Sequence, residues 1–148
     1  MLMVIDIGNT NITVGIYKGD KLIGNYRLTT KMKRTSDEYG FMIMNFLTSS
    51  KVSYDQIKDV IISSVVPKIM HSFLNGIRKY MHKEPIVVGP GIKTGISVKA
   101  ENPKAVGSDR IVDAAGAFYE YGGPCLVVDF GTMTTFDYVD EKATLNLE

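Results

Sequence analysis

Two stretches of the chain repeat one pattern, in which an apolar run ends in aspartate, an apolar residue, glycine and a nearby threonine. The first stretch is VIDIGNTNIT, which contains Asp6, and the second is VVDFGTMTTF, which contains Asp129. Each apolar run is typical of a buried strand, and the glycine permits a tight turn where the backbone can approach a ligand closely. Copies separated by a domain's length indicate two similarly built domains rather than a solenoid.

Each copy also carries groups that can bind phosphate. A strand that ends in aspartate brings a carboxylate to the edge of the sheet, and the Asn or Thr side chains and backbone N–H groups of the turn can hold phosphate oxygens. One Asp-x-Gly turn alone favours a structural role, because such turns commonly close hairpins. Two copies in the same context favour a pair of turns that face each other across a cleft and hold a nucleoside triphosphate with its metal ion.

The usual phosphate-binding loops offer no competing explanation. The chain has no Gly-x4-Gly-Lys-Ser/Thr motif, and the glycine-rich stretch GPGIKTG at 89–95 contains proline. That stretch does not open a predicted helix, so it is not a dinucleotide-binding fingerprint.

Hydrophobic patterning predicts the order of the elements around these motifs. Three strands joined by tight turns come first. A helix then begins at Thr35, whose spacing from Glu38 fits a capping box. The predicted strands are 2–7, 12–17, 21–29, 59–66, 85–89 and 125–130, the predicted helices are 35–47, 67–82 and 108–122, and residues 89–103 are predicted to form a loop.

This order predicts an α/β fold. A strand meander followed by alternating helices and strands is typical of a mixed sheet with helices on its faces. The best boundary is the Gly-Gly-Pro turn at 122–124. We therefore predict a first domain over residues 1–122 and the first strands of a second domain over residues 123–148.

The composition narrows the classes of function. The net charge of +1 gives no sign of a nucleic-acid or anionic-membrane partner, and we interpret the short basic cluster TTKMKRTSD as a solvated loop. Cys125 is the single cysteine, which excludes an internal disulfide and fits a reducing compartment. The apolar start is interrupted by Asp6, and no apolar run is long enough to span a bilayer. We expect a soluble cytoplasmic protein.

A third motif, GSDRIVDAAG at 107–116, places polar residues at a predicted helix start. One interpretation is structural, in which Ser108 or Asp109 caps the helix. The other is functional: Asp109 accepts the proton of a substrate hydroxyl, and Arg110 holds an anionic part of the substrate or structures the site.

The three motifs, DIGNT at 6–10, GSDR at 107–110 and DFGT at 129–132, together resemble the type III pantothenate kinases, also known as Bvg accessory factor-like proteins. The resemblance extends over essentially the whole chain. It implies the actin-like (ribonuclease H-like) two-domain kinase fold. It also implies ATP-dependent phosphorylation of the primary hydroxyl of pantothenate, the first step of coenzyme A biosynthesis, with this chain as an N-terminal part of such an enzyme.

The resemblance implies a role for each motif residue. Asp6 matches the family's aspartate near the phosphates and Mg²⁺, and Asp109 matches its base. Asp129 matches the aspartate associated with a monovalent cation, potassium or ammonium. The other matches are to the phosphate-binding turn (Gly8, Asn9 and Thr10), the pantothenate-binding segment (Gly107 and Arg110, with Asp109) and the turn beside the cation (Gly131 and Thr132).

The resemblance also implies a homodimer, and two alternatives to the kinase function stay open. One is a non-catalytic module that binds nucleotide or partner proteins. The other is an actin-like kinase for another small alcohol, because Ala100 stands near the place where the family usually has an aromatic residue. We expect no DNA binding, since the sequence has neither a DNA-reading helix nor a strongly basic face.

Overall fold

A computed structural model of the chain describes residues 1–147. These residues form two compact units, of which the first ends at Val87 and the second begins at Val88. Each unit has its own sheet and its own apolar cluster. The units divide at a different place from the predicted domains, 1–122 and 123–148, whose boundary falls inside the second unit.

The first unit contains a five-stranded mixed sheet in the order β3-β2-β1-β4-β5. The first three strands form an antiparallel meander, as predicted, and the last two run parallel to β1. This mixture arises because tight turns reverse the chain twice and a helical segment then returns it to the sheet. The strands are β1 (Leu2–Ile7), β2 (Asn11–Lys18), β3 (Lys21–Thr29), β4 (Asp59–Ser64) and β5 (Ile86–Val87).

Two helices of this unit, α1 (Ser36–Ser49) and α2 (Pro67–Met81), pack against each other. The predicted capping box is confirmed: the Thr35 hydroxyl accepts a bond from the Glu38 amide at 3.2 Å, and the Glu38 carboxylate accepts one from the Thr35 amide at 2.6 Å. The helices approach closely at Gly76, where an added Cβ would lie 2.6 Å from the Ser36 carbonyl oxygen.

Alternation along β1 fixes which side chains enter the core of the first unit. Met3, Ile5 and Ile7 are buried, whereas Asp6 between them is exposed. The apolar cluster joins these side chains to residues of α1 and α2. None of the helices in residues 1–147 is both long and apolar enough to cross a membrane.

The second unit contains a four-stranded sheet in the order β6-β9-β8-β7 and one long helix, α3 (Ser108–Tyr121). The helix packs on β7 and β8, so the segment before Gly122 and the segment after it share one core. Its buried members are Ala114, Val139 and Leu145. The strands are β6 (Ser97–Lys99), β7 (Cys125–Phe130), β8 (Thr134–Val139) and β9 (Thr144–Asn146).

The outer face of β7 and β8 carries large apolar side chains that are exposed in the described residues. They are Leu126, Val128, Phe130, Phe136 and Tyr138. A strand that is apolar on both faces is typical of a sheet covered on both sides. This explains why the sequence CLVVDF predicts a buried strand although alternate side chains on β7 are exposed.

Two parts of the sheet in the second unit were not predicted. The predicted loop 89–103 contains β6, which pairs in parallel with β9, and β9 itself follows β8 and pairs antiparallel with it. Three-residue strands carry too little periodicity to be recognised, and the partner of β6 lies far along the chain. The predicted strand 85–89 is also shorter in the structure, where β5 covers Ile86–Val87.

Candidate functional site

The first predicted carboxylate, Asp6, lies near the end of the central strand of the first unit. It is in register with Thr13 of β2 on one side and with Ser63 of β4 on the other. Because β1 and β4 are parallel, their carboxyl ends meet at the same edge of the sheet. Asp6 is exposed there, whereas Ser63 is buried, so this edge presents a carboxylate next to the turn that follows β1.

The turn at Gly8, Asn9 and Thr10 is held by the end of β3. Thr30 donates its hydroxyl hydrogen to the Gly8 carbonyl at 2.7 Å, and its amide donates to the Thr10 carbonyl at 2.9 Å. The Gly8 amide closes the turn by donating to the Asn11 carbonyl at 2.9 Å. Thr30 is 5% exposed, whereas Asn9 and Thr10 are exposed. A buried side chain therefore fixes a turn whose own polar side chains face outward.

Gly8 also has a steric reason to be glycine. An added Cβ would lie 3.2 Å from the Asn11 carbonyl oxygen, which is tighter than ordinary van der Waals contact and involves backbone that is already hydrogen-bonded. The closeness follows from the short turn between β1 and β2. The structure thus agrees with the predicted use of glycine for a tight turn.

Sequence patterns missed the residues that support this edge. Ser64 ends β4, and its hydroxyl accepts a bond from the Val66 amide at 3.1 Å; the Val65 amide donates to the Ile7 carbonyl at 3.0 Å. The polar pair in IISSVVP, directly after an apolar run, was the available signal for Ser63 and Ser64. Thr30 gave no such signal, because a threonine at the end of a strand is ordinary.

The second predicted carboxylate, Asp129, lies on β7 in the second unit. It is half-buried and in register with Thr135 of β8. Gly131 and Thr132 are exposed in the turn that joins these strands. A Cβ added at Gly131 would lie 3.3 Å from Oδ2 of Asp129, so the carboxylate reaches back over the turn. The local strand–Asp–Gly–Thr arrangement is present in both units.

The third motif opens α3, as predicted, but its cap differs from the prediction. The N-cap residue is Gly107, which has no side chain, so neither Ser108 nor Asp109 is the N-cap. The Asp109 carboxylate instead accepts a bond from the Arg110 amide at 2.8 Å. Asp109 is half-buried in the first turn of the helix, where the N–H groups favour a negative charge.

Arg110 forms an ion pair that the sequence did not predict. Its Nε donates to the two carboxylate oxygens of Asp137 at 2.9 and 3.2 Å, and its Nη2 donates to the same carboxylate. This hydrogen bonding, with smaller contributions from the charges of Asp137 and Asp109, raises the pKa of the Arg110 guanidinium, while burial opposes the change. The contact of Arg110 with substrate stays a prediction.

No group of three or more His, Cys, Asp or Glu residues in the described part of the chain is arranged to hold a metal ion. Mg²⁺ in nucleotide sites is commonly held by one or two carboxylates together with phosphates and water. A single exposed carboxylate such as Asp6 fits that kind of site. The pairing of the Asp6 and Asp129 turns across a cleft stays a prediction.

Comparisons with known proteins agree on one family. The model of the type III pantothenate kinases matches residues 2–146. Curated type III pantothenate kinases are 55% identical over 145 residues in Bifidobacterium longum subsp. infantis and 54% identical over 144 residues in Agathobacter rectalis. These matches take in 98% and 97% of this chain but 57% and 55% of the relatives. The chain spans a little over half the length of the curated relatives it matches.

A solved structure supports the fold independently. A Porphyromonas gingivalis protein assigned as an N-acetylglucosamine kinase matches with a TM-score of 0.51 over 96% of this chain and 45% of its own. The sequence identity is 15%, so this similarity concerns the fold alone. It confirms the predicted α/β fold of the actin-like type.

Proposed function

Since this chain belongs to the type III pantothenate kinase family, we propose that it forms part of an enzyme that transfers a phosphoryl group from ATP to the primary hydroxyl of pantothenate. This is the first step of coenzyme A biosynthesis. The observation that carries the proposal is the family match over residues 2–146, which includes all three motifs. We further propose a homodimer, as the family resemblance implies, and a cytoplasmic location, which the single cysteine supports.

In the proposed reaction, the exposed edge at Asp6 receives the phosphates. Gly8, Asn9 and Thr10 offer backbone N–H groups and side chains to the phosphate oxygens, and the anchoring of the turn by Thr30 supports this role. Asp6 would hold Mg²⁺ jointly with the phosphates. Bound Mg²⁺ neutralises the negative charge that builds up on the phosphate oxygens.

Asp109 is the proposed base. The pantothenate hydroxyl oxygen attacks the γ-phosphorus, the bond from that phosphorus to the ADP oxygen breaks, and the hydroxyl proton passes to the Asp109 carboxylate. The bond from the Arg110 amide keeps one carboxylate oxygen in place, and the other oxygen can accept the proton. Gly107 and Arg110 complete the substrate-binding segment in this proposal.

Asp129, Gly131 and Thr132 are proposed to bind a monovalent cation, potassium or ammonium, near the phosphates. The carboxylate of Asp129 already lies over the turn at Gly131, which places an oxygen ligand beside exposed backbone. This role rests on the family resemblance and on the repeated strand–Asp–Gly–Thr arrangement.

The test is pantothenate-dependent ADP release by the chain with ATP, Mg²⁺ and K⁺ present. Asp109→Asn removes the proposed base and keeps the shape of the side chain, so it should abolish most of the turnover. Glu120→Gln, at an exposed residue of the same helix, removes the same charge and is the control, which should retain activity. Turnover that persists unchanged in Asp109→Asn contradicts the proposed role of this residue.

The same assay separates the alternatives. Equal turnover with other small primary alcohols would favour an actin-like kinase of different specificity. ATP binding without turnover, measured by calorimetry on the same preparation, would favour a nucleotide-binding module.

A further inference from the structure

The ion pair beneath the first turn of α3 involves a residue that belongs to none of the three motifs. Asp137 lies on β8 between the exposed residues Phe136 and Tyr138, and it shares the inner face of the strand with Val139. Only 2% of its side chain is exposed, whereas the side chain of Arg110 is 32% exposed. The pair therefore has a buried acidic end and a partly exposed basic end.

A buried carboxylate at this position needs an explanation. Removing a charge from water is costly, and an apolar residue of similar volume often packs with equal or better stability. The neighbouring inward-facing residue of β8, Val139, is apolar and belongs to the core. Stability alone therefore does not account for an aspartate here, and the geometry of its contact with Arg110 suggests what it does.

The contact fixes one edge of the guanidinium. Arg110 has five N–H donors in a planar fork, and Asp137 accepts from the edge formed by Nε and Nη2. The donors on Nη1 belong to the other edge. A two-point contact of this kind restricts both the position and the plane of the group.

Arg110 also connects Asp137 to Asp109. Its side chain is held by the Asp137 carboxylate, and its backbone amide donates to the Asp109 carboxylate at 2.8 Å. Arg110 is thus held by Asp137 of β8, and its amide in turn holds the half-buried Asp109 carboxylate in the first turn of α3. All of these groups belong to the second unit.

We propose that Asp137 is a positioning residue, which fixes the Arg110 guanidinium and, through the Arg110 backbone, the orientation of the Asp109 carboxylate towards the substrate. The effect on the Asp109 carboxylate rests on the proposed function, because Asp109 is the base only if the chain takes part in pantothenate phosphorylation. Asp137 itself is not proposed to contact substrate.

The test measures the Arg110 side chain directly in the ¹⁵N-labelled chain. The Nε–H signal is assigned by its loss in Arg110→Lys, and its hydrogen exchange is compared between the unchanged chain and Asp137→Asn. Losing a hydrogen bond to a charged group should accelerate this exchange by roughly 10- to 100-fold. Glu141→Gln is the matched control, because it removes the same charge from an exposed residue near the end of β8.

A second readout follows the connection to Asp109. In Asp137→Asn the residue-110 amide, which bonds Asp109, should exchange about 10-fold faster or more, and pantothenate should bind at least about 10-fold more weakly. Unchanged Nε–H exchange overturns the proposal. Faster Nε–H exchange with an unchanged residue-110 amide also overturns it, because Asp137 would then hold the guanidinium without influencing the bond to Asp109.

A second variant covers the case in which Asp137→Asn does not fold. Arg110→Lys keeps a cation beside Asp137 but cannot form the two-point contact, so its residue-110 amide should also exchange about 10-fold faster. An unchanged amide there overturns the proposal. If the unchanged chain binds no pantothenate, the proposed function fails for this chain, and the two exchange measurements still decide the positioning role.

Discussion

The anchoring of the Gly8 turn by Thr30 allows a quantitative prediction. Thr30→Val keeps the shape of the side chain but removes the hydroxyl that donates to the Gly8 carbonyl at 2.7 Å. Thr30 is 5% exposed, so the carbonyl loses its partner where water has little access. Such a loss costs about 1 to 2 kcal/mol. For a chain of this length the midpoint of thermal unfolding should fall by about 2 to 8 °C.

The local effect is more diagnostic than the global one. The Gly8 amide bond to Asn11 depends on the same turn, so its hydrogen exchange should accelerate by roughly 5- to 30-fold, the factor that corresponds to about 1 to 2 kcal/mol. ATP affinity should weaken by no more than the same factor, because the turn must be reordered on binding.

Thr29→Val is the control for this prediction. Thr29 is the preceding residue and is exposed, and the bond it accepts from Arg34 goes to its backbone carbonyl. Its substitution should leave both the unfolding midpoint and the Gly8 amide exchange unchanged. If Thr30→Val also leaves the Gly8 amide unchanged, Thr30 does not hold the turn and the reasoning is refuted.

Three further predictions concern activity, packing and pH. Because phosphoryl transfer depends more on charge neutralisation than on the base, Asp6→Ala should lower kcat more than Asp109→Ala in an active form of the enzyme, and kinetics showing the reverse order would contradict this ranking. Gly76→Ala places a methyl group 2.6 Å from the Ser36 carbonyl oxygen. The resulting overpacking costs about 1 to 3 kcal/mol and should outweigh the gain of about 1 kcal/mol in helix propensity. Denaturant unfolding should therefore show a net loss of stability. The hydrogen bond from Lys79 lowers the pKa of Asp37 below its ordinary value of 3.8, so this carboxylate stabilises the fold above that pH and loses the effect as the pH falls. Asp37→Asn should therefore unfold at a lower temperature than the unchanged chain at pH 7, and the difference between the two should disappear in strong acid. A difference that stays constant with pH would refute the role of the charge.

Much of the first unit could be predicted because its signals are local. The alternation of β1 to β3, the capping box at Thr35 and the proline that begins α2 each depend on residues a few positions apart. The motif residues Asp6 and Gly8 were recognised for the same reason. Short-range patterns of this kind need no knowledge of the tertiary fold.

The second unit shows what local patterns omit. β6 is three residues long and exists only because β9 offers a parallel edge. The segment before Gly122 belongs with the strands after it because α3 packs on β7 and β8, and no turn signal encodes that choice. The predicted boundary relied on a Gly-Gly-Pro turn, which marks the end of a helix but not the end of a core.

The sequence by itself determined which residues could do chemistry, because an aspartate after a buried strand, followed by glycine and threonine, restricts both backbone and ligand. Only the tertiary structure decided which groups hold them in place. Thr30 meets Gly8, and Asp137 meets Arg110, across separations along the chain that no periodicity covers. These supporting contacts depend on strand register and helix packing, since those alone bring a buried hydroxyl or carboxylate within hydrogen-bonding distance of the motif residues.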